Sequence, residues 1–186
     1  MIFLIIGLTV FFTIHTLPWN PAMRETLLGG LGLTGYRILF AVGSAIGLVL
    51  TIFGYGISPK PLLWITPEIG PRIATFFMPL AFILIAAAYL GSNIKRVTAH
   101  PMLWGIAIWA TVHLINNGDL PSVLLFGGFL LYSLGAMASA NKRGAAPATE
   151  TVPTLRDTVA VVVGMAAAFA VAYFHWVLFG AAAIPS

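Results

Sequence analysis

Apolar residues run through this chain in long blocks, separated by short clusters of charge, proline and glycine. The blocks are too long for half-buried strands, and a membrane-spanning helix needs about 20 apolar residues, within a range of roughly 17–25. On that spacing the pattern predicts six helices, over 1–16, 36–56, 73–93, 101–115, 121–138 and 158–180. The first and fourth are short for a bilayer and are expected to tilt little or to continue into flanking residues, with five spans as the alternative count. Between the first two, residues 20–35 place Arg24 and Glu25 ahead of Leu27, Leu28, Leu31 and Leu33 among four glycines, a pattern expected to form a short interfacial helix and a turn. Over 138–153, Ser, Ala, Asn, Gly, Thr and Pro replace the apolar run, so a mobile cytoplasmic loop is expected there, reaching to about residue 157.

Composition turns this pattern into a class. With 60% hydrophobic residues, 8% charged residues and a mean hydropathy of +1.00, the chain is expected to be an all-α, polytopic transmembrane bundle forming one domain over residues 1–186. The absence of cysteine excludes disulfides, thiolate ligands and a cysteine nucleophile. The N-terminal block lacks a basic leader and a small-residue cleavage site, and is read as the first span and not a secretory signal. Arg24, Lys95, Arg96, Lys142, Arg143 and Arg156 fall in the first, third and fifth loops, against Lys60 and Arg72 in the second and none in the fourth. Cytoplasmic loops hold the excess of Lys and Arg, so both termini are expected outside. The net charge of +4 then reflects this inner-face bias, with attraction to anionic lipid as its expected consequence, and no basic stripe interleaved with aromatics points to nucleic acid.

Two small-residue ridges, Gly43-Gly47-Thr51 and Gly164-Ala168-Ala172, recur at four-residue intervals and predict close helix contacts. The chemistry-bearing residues are few. Ionisable groups at membrane depth are functional suspects, and His100 and His113 bracket the fourth predicted helix. Thirteen residues separate them, about 20 Å along a helix and about 140° around it, so they cannot share a metal ion. His100 at the helix start reads equally as a cap, with Thr98 as the alternative capping residue and Pro101 in the first turn. His113 has Trp109, Asn116 and Asn117 at neighbouring helical positions. His15 near the end of the first span is the other histidine at comparable depth, and His175-Trp176 reads as an interface anchor. A histidine-ligated haem, an anionic cofactor at the inner face and a structural hydrogen bond all remain open on the residues alone. Arg37 suits a propionate or phosphate at the inner interface, and snorkelling to headgroups fits it equally. Asn117-Gly118-Asp119 is chiefly a turn signal ahead of Pro121, with Asp119 available to a positive group.

His15, Gly35-Tyr36-Arg37-Ile38-Leu39-Phe40, Arg96-Val97-Thr98-Ala99-His100-Pro101 and His113 with Asn117-Gly118-Asp119 together resemble the NnrU family, over most of the chain through about Met137. The resemblance implies a bacterial inner-membrane protein associated with denitrification and the handling of nitrite and nitric oxide, without fixing a biochemical activity. The plastid 15-cis-zeta-carotene isomerase is similar in sequence and binds haem b; its axial histidines correspond to His15 and His113. Its proposed exchange-ligand cysteine falls at Ala110, so a ligand switch of that kind is not carried over. Membrane methyltransferases that use S-adenosylmethionine also bear an Arg-His-Pro motif at an inner-face helix start, but Ala99 stands in the arginine's place here and residues 141–144 lack their paired glutamates. The expectation is therefore haem b on His15 and His113, with Arg37 and His100 as further cofactor contacts, in a redox, sensing or isomerase role on a small apolar substrate. A methyltransferase using His100 and a non-catalytic membrane factor are the alternatives.

Overall fold

A computed structural model describes residues 1–180. These contain six helices: α1 (Ile2–Thr16), α2 (Pro21–Ile57), α3 (Gly70–Leu90), α4 (Pro101–Asn116), α5 (Leu120–Lys142) and α6 (Leu155–Phe179). Five are long and apolar enough to cross a membrane, the first when α1 is counted through the short turn to Trp19, and α4, at 16 residues, falls short of that length. At 1.5 Å per residue α4 is about 24 Å long, less than the roughly 30 Å hydrocarbon core. The described residues divide into two compact units, one of Met1–Trp64 with Asp119–Gly128, the other beginning at Ile65–Gly118 and resuming at Phe129.

In the first unit, α1 and α2 meet along glycines. A Cβ added at Gly47 would stand 2.7 Å from the backbone nitrogen of Phe11, and one at Gly43 would stand 2.8 Å from the Ile14 side chain. Thr51, next on the ridge, is buried and returns its hydroxyl to the Gly47 carbonyl at 2.8 Å, leaving no polar group facing lipid. The ridge read from the sequence is thus the helix seam, where at Gly47 the backbones approach too closely for a side chain. The segment before it also follows expectation in kind. Asn20 Oδ1 accepts the Met23 N–H at 3.2 Å and Pro21 fills the first turn, so a helix starts at once. It breaks at Gly32, whose φ of 66° and ψ of 173° belong to a region essentially reserved for glycine. The second span therefore resumes directly after Gly32, not at Tyr36 as the charge pattern suggested, because residues between them are leucine, threonine and glycine with no further break.

The far end of α2 is tied to the start of α5. Asp119 caps α5, its carboxylate accepting the Ser122 N–H at 3.0 Å and the Ser122 hydroxyl at 2.8 Å. The Tyr55 hydroxyl in turn lies 2.9 Å from Ser122 Oγ, and the Leu120 N–H reaches the Pro61 carbonyl at 3.1 Å. Asp119, expected to be available to a cation, is instead occupied as a helix cap.

In the second unit α3 packs against both α4 and α6. A Cβ on Gly105 would meet the Ala81 carbonyl at 2.6 Å, and one on Gly164 would meet the Ile83 nitrogen at 2.7 Å. Ala168 is buried beside it, so the second small-residue ridge also serves packing. The loop expected from Ala138 begins later, since α5 continues through Lys142. Alanine-rich residues 138–142 hold no breaker, and the helix stops only at Gly144, at φ 88°, where the Ala145 N–H bonds the Ala140 carbonyl.

The loop that follows is fastened. Asn93 donates through Nδ2 to the Val152 carbonyl at 2.9 Å and to Asp157 Oδ2 at 2.6 Å, and its Oδ1 accepts the Val152 N–H at 2.9 Å. The Asn93 N–H adds a bond to Asp157 Oδ1 at 2.7 Å, and the Ala148 N–H reaches the Lys95 carbonyl at 2.9 Å. Hydrogen bonds to a charged group contribute about 1.5–3 kcal/mol each. Asp157→Asn is therefore expected to speed tryptic cleavage at Lys142 and Arg143 roughly tenfold in detergent-solubilised protein; unchanged cleavage would show that the clamp does not hold the loop.

Candidate functional site

His15 and His113 share one local arrangement. His15 is the penultimate residue of α1, and its Nδ1–H donates to the Phe11 carbonyl one turn earlier at 2.8 Å. His113 lies in the last turn of α4, and its Nδ1–H donates to the Trp109 carbonyl at 2.8 Å. A carbonyl can only accept, so each bond fixes the proton on Nδ1, and the neutral ring carries its lone pair on Nε2. Metal-bound imidazoles are held in this way, the far nitrogen donating to a carbonyl or carboxylate to set tautomer and orientation.

The rings have aromatic neighbours from the same turn. The His15 imidazole stacks on Phe11 with ring centres 4.0 Å apart and an interplanar angle of 23°, and Phe40 of α2 approaches it at 5.0 Å. In the other unit the His113 imidazole tilts against Trp109 at 5.1 Å, and Trp109 makes an edge contact with Phe129 at 5.6 Å. Both histidines are half-buried. Ser44, one turn beyond Phe40 on α2, has a buried hydroxyl with no hydrogen-bond partner. Its neighbourhood thus holds a spare donor of the kind a bound polar group would use.

The remaining expected residues separate. Asn117 Nδ2 donates to the His113 carbonyl at 2.8 Å, and Asn116 Nδ2 to the Val112 and Gly70 carbonyls at 2.8 and 3.2 Å, so both serve the backbone and not the imidazole. Arg37 is exposed beside buried Tyr36, whose ring Arg24 approaches at 5.9 Å. His175 packs against Phe179 at 4.8 Å. His100 occupies the cap position of α4 but makes no side-chain capping bond. Thr98 Oγ1 accepts the His100 N–H at 3.1 Å, while His100 Nε2–H donates to Asn141 Oδ1 at 2.6 Å. The reading of His100 as a cap is therefore corrected: its imidazole is turned to α5. Sequence gave no signal for Asn141, which lies 41 residues away, or for the Tyr55–Ser122–Asp119 chain and the Asn93–Asp157 clamp.

Together the helices define a polytopic helical membrane protein with two half-buried histidines, each packed against an aromatic residue one turn before it. The NnrU protein family model matches residues 3–183, and the chain belongs to that family. No curated protein and no solved structure matches the chain.

Proposed function

We propose that the protein binds haem b through the imidazoles of His15 and His113 and works in a redox, sensing or isomerase role in a bacterial inner membrane. The observation that carries the reading is the paired tautomer: in both histidines the i−4 carbonyl takes the Nδ1 proton and leaves Nε2 as the basic nitrogen. Two histidines are the full protein complement of a bis-imidazole haem, so the small number of ligating residues is compatible with it. When bound, haem would supply one-electron chemistry, which suits the link to nitrite and nitric oxide implied by the resemblance; with an imidazole on each axial position, a diatomic ligand would reach the iron only by displacing one of them. Phe11 and Phe40 pack against the His15 imidazole, and Trp109, itself in edge contact with Phe129, packs against that of His113. Ser44 is a hydroxyl donor without a protein acceptor, and Arg37 is a cation suited to a propionate at the interface.

Haem b added to the purified, detergent-solubilised chain is expected to give a sharp Soret band that saturates at one haem per chain. A spectrum indistinguishable from free haem in the same detergent would overturn the reading. Methyl transfer through His100 finds less support: the surrounding cleft has no carboxylate to meet the amino and sulfonium charges of S-adenosylmethionine. Titration with millimolar S-adenosylmethionine is expected to release no binding heat.

A further inference from the structure

His100 is left with no part in haem ligation, yet it lines a cleft within the second unit. That cleft, about 430 Å³, lies between the turn of 97–100, the start of α4, the end of α5 and the loop at Ala145 and Pro147. It is a built feature, since the loop forming one wall is pinned through Ala148 to Lys95 and through Val152 to Asn93. The Arg143 guanidinium further braces the end of α5 by donating to Ser139 Oγ.

The lining has two characters. Thr98, His100 and Asn141 gather at one end, the last two joined by their 2.6 Å hydrogen bond. Trp104, Leu134 and Met137 form the apolar remainder, with Trp104 and Leu134 each 45% exposed. No carboxylate lines the cleft, and Asp157 is engaged by Asn93. Bases flank the lining in sequence: Lys95 and Arg96 run directly into Val97, and Lys142 and Arg143 directly follow Asn141. A polar, cation-flanked end continuous with an exposed apolar wall matches an amphiphile with an anionic head, and basic pockets between spanning helices are where anionic headgroups bind. Trp104 lies in the first turn of α4, and tryptophan is enriched where spanning helices meet the headgroups.

We propose that the His100–Asn141 cleft is a specific site for an anionic phospholipid, with the phosphate at Thr98, His100 and Asn141 and an acyl chain along Trp104 and Leu134. A neutral lipid lacks the charge that Arg96 and Lys142 select, and a soluble anion leaves the apolar wall unused. The site is independent of the haem reading, and either can fail without the other.

The test is native mass spectrometry of the full chain in detergent, titrated separately with phosphatidylglycerol, phosphatidylcholine and inorganic phosphate. Phosphatidylglycerol is expected to form a one-to-one adduct in preference to phosphatidylcholine, with phosphate failing to compete at millimolar concentration. Arg96→Gln and Lys142→Gln are each expected to weaken that adduct roughly fivefold. Arg24→Gln removes the same charge from the first unit and is expected to leave it unchanged. In the wild-type chain, brominated phosphatidylglycerol should quench tryptophan fluorescence, and Trp104→Phe should remove the saturable part. Equal binding of the two lipids, competition by phosphate, an equal loss in Arg24→Gln, or quenching that survives Trp104→Phe would each overturn the assignment.

Discussion

Replacing Gly47 by leucine is expected to pull α1 away from α2 and to lower the thermal unfolding midpoint of the detergent-solubilised protein. A Cβ at this position would fall 2.7 Å from the Phe11 nitrogen and 2.9 Å from its Cα. Those atoms are backbone and cannot rotate aside, so the whole helix must shift. Overpacking of a filled interior costs about 1–3 kcal/mol, and a side chain of four carbons against backbone belongs at or beyond the upper end. Gly56 is the matched control. Nothing lies within 4 Å of a Cβ placed there, and alanine is the better helix former by up to about 1 kcal/mol. Gly56→Ala should therefore melt at or above the wild-type temperature. Equal behaviour of the two variants would mean that the seam is not what holds α1.

The seam also bears on the histidine. Phe11 takes part in the contact with Gly47 and is both the hydrogen-bond acceptor and the stacking partner of His15. A helix shift at Gly47 moves the carbonyl that sets the His15 tautomer, so Gly47→Leu should weaken haem binding even though it removes no ligand.

His15→Ala and His113→Ala are each expected to cut haem affinity by more than loss of an outer-shell partner does, which is roughly 10–100-fold. Alanine retains helix propensity, and each imidazole is half-buried at a helix end, so far-ultraviolet circular dichroism should report wild-type helix content in both. Full affinity in both variants would remove the histidines from the site. Loss of affinity in one alone would reduce the site to a single imidazole.

The spans were legible because hydrophobic length is written directly in composition, and the seams because close helix approach permits few residue types besides glycine, alanine and serine. Gly43, Gly47 and Gly164 announced their role by spacing alone. Boundaries moved where local chemistry outweighed hydropathy: α2 breaks at Gly32 and resumes after it because that residue takes a dihedral pair essentially reserved for glycine, and α5 runs to Lys142 because alanine sustains a helix without being very apolar. The prominence of His15 and His113 was legible, but their shared tautomer was not, since it depends on a carbonyl one turn away pointing back at the ring. His100 was misread for a related reason. Its position suggested a cap, and only the fold brings Asn141 to it across 41 residues. Pairings of that kind, like Tyr55 with Ser122 or Asn93 with Asp157, leave no periodic trace.

The central claim, that both His15 and His113 donate Nε2 to one haem iron, is tested most directly by the spin state of the ferric, haem-loaded protein. Electron paramagnetic resonance of the wild-type chain is expected to show a low-spin signal of two nitrogen ligands, converted to a high-spin signal in His15→Ala and in His113→Ala alike. A high-spin wild-type signal, or a low-spin signal that survives either substitution, would contradict the account.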